Sequence, residues 1–200
     1  MSRESPSRRL TRADWTAEAM RALAEGGLGA VGIEPIAARL GATKGSGYWH
    51  FRDRADLVGA TLARWEQEHT DQVIARVGGG ADPANRLREL FRVVLGRSEP
   101  LSVELALLAS AEDPLVTPTI TRVTQRRLDY LEMLFTDLGW DPTHARERAL
   151  LAYTSYLGHA GLARTNPGAV PTGDAERAAY LDSVLATLLA PAGRPDQARP

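Results

Sequence analysis

The sequence predicts an all-α chain of about nine helices, with a three-helix head that carries a helix-turn-helix set on a larger helical body. Three observations predict it. Ala, Leu, Arg and Glu dominate, and no stretch alternates apolar and polar residues long enough for a half-buried strand. Glycine and X-Pro breaks at Gly26-Gly27, Gly78-Gly79-Gly80, Asp82-Pro83, Glu99-Pro100, Asp113-Pro114, Gly139 and Asp141-Pro142 divide the chain into helix-length pieces. Two short helical stretches also flank Gly41, the arrangement of helices joined by a tight glycine turn.

The first helix opens at Thr11, whose hydroxyl caps it while Asp14 reaches back, and Gly26-Gly27 ends it. Trp15, Ala19, Ala22 and Leu23 form its apolar stripe. A second helix holds Pro35 in its first turn and ends at Leu40-Gly41. The third runs from Lys44 to His50 with Thr43 as cap. The fourth, long, spans Arg54 to Val77 with Val58, Leu62, Trp65, His69 and Val73 on one face. Asp82-Pro83 opens the fifth, whose stripe is Leu87, Leu90, Phe91 and Val94. A short sixth covers Leu101–Ala111, and a seventh runs to Leu138. Asp141-Pro142 opens the eighth, which reaches Arg164, and the ninth fills Asp174–Leu189. The expected division is a basic arm over 1–9, a head over 10–56, a body over 57–190 and a disordered tail over 191–200.

The 200 residues are 44% apolar and 24% charged, ordinary for a globular protein, and the absence of cysteine excludes disulfides and thiolate metal sites. No apolar run follows the polar N-terminus, so a cytoplasmic protein without membrane contact is expected. The net charge of −1 divides into +2 over residues 1–56 and −3 over the rest. Lys44 is the only lysine beside 23 arginines. No nucleophile–base pair, carboxylate pair or phosphate-cradling loop stands at a useful spacing, and His69, His144 and His159 make no metal pattern. Gly45-x-Gly47 is too short for a nucleotide fingerprint. Neither an enzyme nor a cofactor is expected.

Ile36, Ala37 and Leu40 share one helix face before Gly41, and the short helix after it carries Lys44, Ser46, Tyr48 and His50. Such a helix fits a DNA major groove of about 12 Å, and its mixed donors and acceptors suit base edges better than a run of charge would. The string Ile36-Ala37-x-x-Leu40-Gly41, then Tyr48-Trp49-His50-Phe51, then Arg54-x-x-Leu57 resembles the signature of tetracycline-repressor-like (TetR) regulators. The resemblance covers about residues 10–60, and Trp15-x-x-x-Ala19 with Gly27 fits it too. It implies a regulator that binds double-stranded operator DNA. Lys44 and Ser46 would face bases, with Tyr48, Trp49 and His50 on phosphates. Arg54 would clamp a phosphate, Thr43 would cap and touch the backbone, and Arg3, Arg8, Arg9 and Arg12 would form an arm. Gly47 stands where the family places an apolar residue, which predicts an under-packed third helix, and Glu34 puts an acid near the DNA face.

The body reads as a chamber for a small, largely apolar effector that releases the DNA. Trp65 and His69 share a face of the fourth helix, and Phe91 lies on the fifth. Glu104 and Leu108 follow on the sixth, Tyr130 and Met133 on the seventh, and Tyr153 and Tyr156 on the eighth. The resemblance implies a homodimer through the last two helices, where Ser155, Gly158, Gly161 and Leu162 allow close approach and Val184 and Leu188 supply bulk. The competing reading is a ligand-independent DNA-binding or adaptor dimer, which a sizeable apolar cavity would disfavour.

Overall fold

The computed structural model describes residues 9–79, 82–95 and 102–190. The tail, and the arm apart from Arg9, lie outside them. The helices are α1 (Arg12–Gly26), α2 (Ile33–Arg39), α3 (Lys44–His50), α4 (Arg54–Glu66), α5 (Gln72–Gly78), α6 (Pro83–Leu95), α7 (Ser102–Ala109), α8 (Thr117–Asp137), α9 (Pro142–Thr165) and α10 (Asp174–Leu189). Gln67–Asp71 is π-helical and joins α4 to α5 without a break, so the expected long fourth helix is present with one wide turn in it. Among the described residues there is no strand.

The chain forms two compact units. Among the described residues, one holds 9–67 together with Ser102–Ile120, the other 68–79, 82–95 and 121–190. The expected head is thus part of a larger first unit, because α7 packs against α1 and contributes the fully buried Leu107. Trp15, Leu23, Ile36, Phe51, Leu57 and Trp65 fill the core of that unit. The Thr11 cap forms as expected, with Asp14 N donating to Thr11 Oγ1 at 3.2 Å and Thr11 N to Asp14 Oδ2 at 2.8 Å.

In the second unit, Leu87 and Phe91 of α6 meet Leu128, Leu131, Leu134 and Phe135 of α8. α9 presents Ala145, Ala149 and Ala152 to this core, and an alanine at each turn lets neighbouring helices approach closely. α10 closes the cluster with Leu185 and Leu188. Leu188, expected at a dimer face, is therefore spent on the protomer's own core at 1% exposure, and Val184 is half-buried against the same cluster.

The π turn changes the expected stripe of the long helix. A π turn closes i→i+5 bonds and takes up one residue more than an α turn. The buried series accordingly runs Leu57, Val58, Thr61, Leu62, Trp65, Thr70, Val73 and Val77. Thr70 takes the inward place expected for His69 and is 1% exposed.

Candidate nucleic-acid interface and cavity

The helix-turn-helix is built by a glycine turn and a small-residue contact. α2 ends in a Schellman arrangement, Gly41 N donating to Ala38 O (3.2 Å) and Ala42 N to Ala37 O (2.9 Å). It needs Gly41 at φ +63°, a left-handed conformation that side chains disfavour. Thr43 then caps α3, accepting from Ser46 N at 3.2 Å. Arg39 ties α2 to α1 by ion pairs with Glu18 and Glu25. Burial alone would raise the Glu18 pKa, but hydrogen bonds from Arg39 and Arg21 outweigh it and hold the carboxyl below its ordinary value.

Gly47 faces inward and is buried. A Cβ there would lie 2.6 Å from Ile33 Cγ2 and 2.8 Å from the Trp15 ring, so α3 lies flush on α1 and α2 and is not under-packed as expected. With that face turned in, Thr43, Lys44, Tyr48 and Trp49 turn out. Trp49 is 69% exposed and Tyr48 47%, an unusual display for aromatics on a helix of seven residues. The Arg9 guanidinium stacks 4.6 Å from the Trp49 ring. Lys44 is ion-paired with Glu34 of α2, and that hydrogen bond raises its pKa. Glu34 therefore holds the lysine at the face.

The other expected contacts divide. Ser46 is half-buried, and His50 turns back so that one ring nitrogen, Nε2, lies 3.1 Å from Leu10 O. Arg12, expected in the arm, sits 4.3 Å from the Phe51 ring and donates to Asp56 Oδ1 at 2.8 Å. Arg3 and Arg8 lie outside the described residues. Arg54 is corrected: its Nε donates to Val31 O (2.9 Å) and Nη2 to Leu28 O (2.8 Å), so its side chain seals the loop after α1 instead of reaching outward. Leu28 O also accepts from Val31 N (3.2 Å) to close the 3₁₀ turn, so the guanidinium bridges the first residue of that turn and the residue that follows it. Arg52, just beyond α3, is 87% exposed.

The second unit contains a partly open cavity of about 60 Å³. Of the expected effector residues, His69, Phe91, Tyr130, Tyr153 and Tyr156 line it. Trp65, Glu104 and Leu108 do not. They belong to the first unit, where Trp65 and Glu104 are buried. Met133 points to the surface at 39% exposure, because on α8 it lies opposite the inward Leu131 and Leu134. Sequence reading missed Arg127, whose Nε donates to Thr70 Oγ1 (3.0 Å) and Nη2 to His69 O (3.3 Å), and Thr70 itself. The Arg126-Arg127 pair gave no sign of which arginine turns inward.

An apolar-cored head, a glycine-turned helix pair and a polar, aromatic outer face on its second helix define a helix-turn-helix DNA-binding transcriptional regulator. Residues 16–61 match the sequence model of the family described as bacterial regulatory proteins, tetR family. That match covers the head alone and marks residues 16–61 as similar to the DNA-binding domain of that family. No curated protein sequence matches the chain. Solved structures share its fold over nearly its whole length. A transcriptional regulator from Rhodococcus sp. Rha1 is 21% identical, with 90% of this chain and 96% of that one covered at a TM-score of 0.73. A TetR regulator from Legionella pneumophila is 16% identical, with 94% and 97% covered at 0.68. A regulator from Saccharomonospora viridis solved in complex with choline is 21% identical, with 88% and 92% covered at 0.70. Among the described residues, no helix is long and apolar enough to cross a membrane.

Proposed function

We propose that the chain is a cytoplasmic repressor that binds a palindromic operator as a homodimer and leaves it when a small, largely apolar ligand enters the second unit. The outward display of Lys44, Tyr48 and Trp49 on α3 carries the DNA-binding part of this reading. Lys44 reads a base edge or phosphate, Ser46 supports it, and Tyr48, Trp49, Thr43 and the edge of His50 lie along the backbone. Arg9 and Arg52 supply further phosphate contacts, and Arg54 fixes the loop that sets α3.

A ridge on α9 supports the dimer. Leu151 (44% exposed), Ser155, Gly158 and Leu162 (49%) fall at helical spacing on one face, and nothing lies within 4 Å of a Cβ built on Gly158 or Gly161. The cavity favours ligand response over a ligand-independent adaptor dimer. The unbroken run from Arg54 through the π segment to Gly78 joins a residue of the head to residues of the cavity wall along one helix. The coupling it transmits equals the ligand's differential affinity for the DNA-bound and released states, typically about 1–3 kcal/mol.

Selection from a random duplex pool with the full-length protein tests this reading. The expected product is a palindrome with half-sites about one helical turn, roughly 34–36 Å, or a multiple of it apart. On that operator, Lys44→Ala should weaken binding and reduce the salt slope by about one unit. Arg54→Ala should leave the slope unchanged and lower the melting temperature. A pool that enriches no sequence, or a Lys44→Ala protein with unaltered affinity and slope, overturns the assignment.

A further inference from the structure

We propose that Trp49 is a positioning residue: its ring holds the Arg9 guanidinium against the end of α3, where Arg9 meets an operator phosphate, so that Trp49 serves DNA binding through the arginine. This rests on the reading of α3 as the DNA-binding face and adds how a cation outside that helix is brought to it. The residues that precede α1 are fastened to the end of α3 one by one. The Arg9 guanidinium lies 4.6 Å from the centre of the Trp49 ring. His50 Nε2 lies 3.1 Å from Leu10 O, an oxygen that can only accept, so this nitrogen carries the proton. Arg12 lies 4.3 Å from the Phe51 ring and donates to His50 O. Three consecutive rings, Trp49, His50 and Phe51, thus each hold one residue of the segment 9–12.

Exposure separates their roles. Phe51 is buried, and His50 and Arg12 fix the path of the backbone. Trp49 is the most exposed of the three, and an indole left in water adds little to the core, so its large ring stands ready for a partner. His50 braces it edge-on, with ring centres 4.9 Å apart and planes at 88°. A cation–π contact engages the charge of a guanidinium and not its N–H donors, which therefore suit a phosphate at the same time. Lys44, at the other end of α3, already shares its charge with Glu34, so a cation delivered beside Trp49 adds to the attraction of this face for a duplex. A long side chain placed in advance also loses less freedom on binding than one that must be ordered by the DNA.

The test measures affinity of full-length variants for the duplex recovered by selection, at a series of salt concentrations. Arg9→Ala should weaken binding several-fold and reduce the salt slope by about one unit. Trp49→Leu removes no charge, yet it should weaken binding by a similar factor and reduce the slope by about half a unit or more. Trp49→Phe, which keeps an aromatic face, should restore most of both. The double variant Arg9→Ala, Trp49→Leu should bind no more weakly than Arg9→Ala alone. Both single variants should melt as the wild type does, since both side chains are exposed. A Trp49→Leu protein that loses affinity at an unchanged slope means that the indole meets the DNA itself and overturns the positioning role, as does an additive loss in the double variant. An unchanged slope in Arg9→Ala overturns the phosphate contact. Each of these results leaves α3 as the DNA-binding face; only wild-type protein that binds no duplex removes that reading, and the role of Trp49 falls with it.

Discussion

A methyl group on Gly47 would have to share space with the fully buried Trp15 indole and with the buried Ile33. Alanine gains about 1 kcal/mol of helix propensity over glycine, whereas forcing a methyl into a filled core costs about 1–3 kcal/mol. Gly47→Ala should therefore lower the urea midpoint of the protein despite the better helix former, and a raised midpoint would mean that α3 has slack against α1. The same residue shows the limit of reading single positions. In the sequence, Gly47 registers only as a missing apolar side chain. That Trp15, 32 positions earlier, already fills the site is a tertiary fact with no local signal. Arg54 was legible as a cation opening a helix but not as the donor to two carbonyls more than 20 positions away. Lys44, Tyr48 and Trp49 were legible as an outward face, because a seven-residue helix has little choice of which side to bury.

Helices were readable where chemistry marks their ends. Thr11, Thr43 and Asp141 cap α1, α3 and α9 through their own side chains, and prolines stand at the starts of α6 and α9. The π segment had no such mark. Gln67-Glu68-His69-Thr70-Asp71 consists of residues equally at home in an α-helix, so periodicity carried the stripe to His69 while the backbone carried it to Thr70. At α9 the difficulty is different. Its core side and its open ridge both alternate small and large residues, so the pattern alone could not assign Leu188 of the neighbouring helix to the core and Leu162 to the surface. The ridge yields a clear expectation. Leu151→Arg places a charge on the exposed apolar face, and Gly158→Leu fills its open centre. Each should shift sedimentation from dimer to monomer with little change in helical circular dichroism. A dimer that survives both changes would place the two-fold contact elsewhere.

Over the whole molecule, positive charge is carried almost entirely by arginine, and most of the described arginines are committed. They bind carboxylates, as Arg39 and Arg92 do, or close helix ends, as Arg148 does on Thr187 O and Ala190 O. Against that background the 200 residues contain one side-chain amine, and it stands 60% exposed on the outer face of α3. The molecule thus carries a single-lysine chemical probe. An amine-directed acylating reagent should modify one side chain, Lys44, and the modified fraction, read by peptide mass spectrometry, should fall when operator duplex is added. Because Glu34 favours the protonated amine, Glu34→Gln should speed the reaction in the free protein. Labelling that proceeds equally fast with saturating operator would place the duplex away from α3. A regulator with one lysine can in this way report, through one side chain per protomer, whether its DNA is in place.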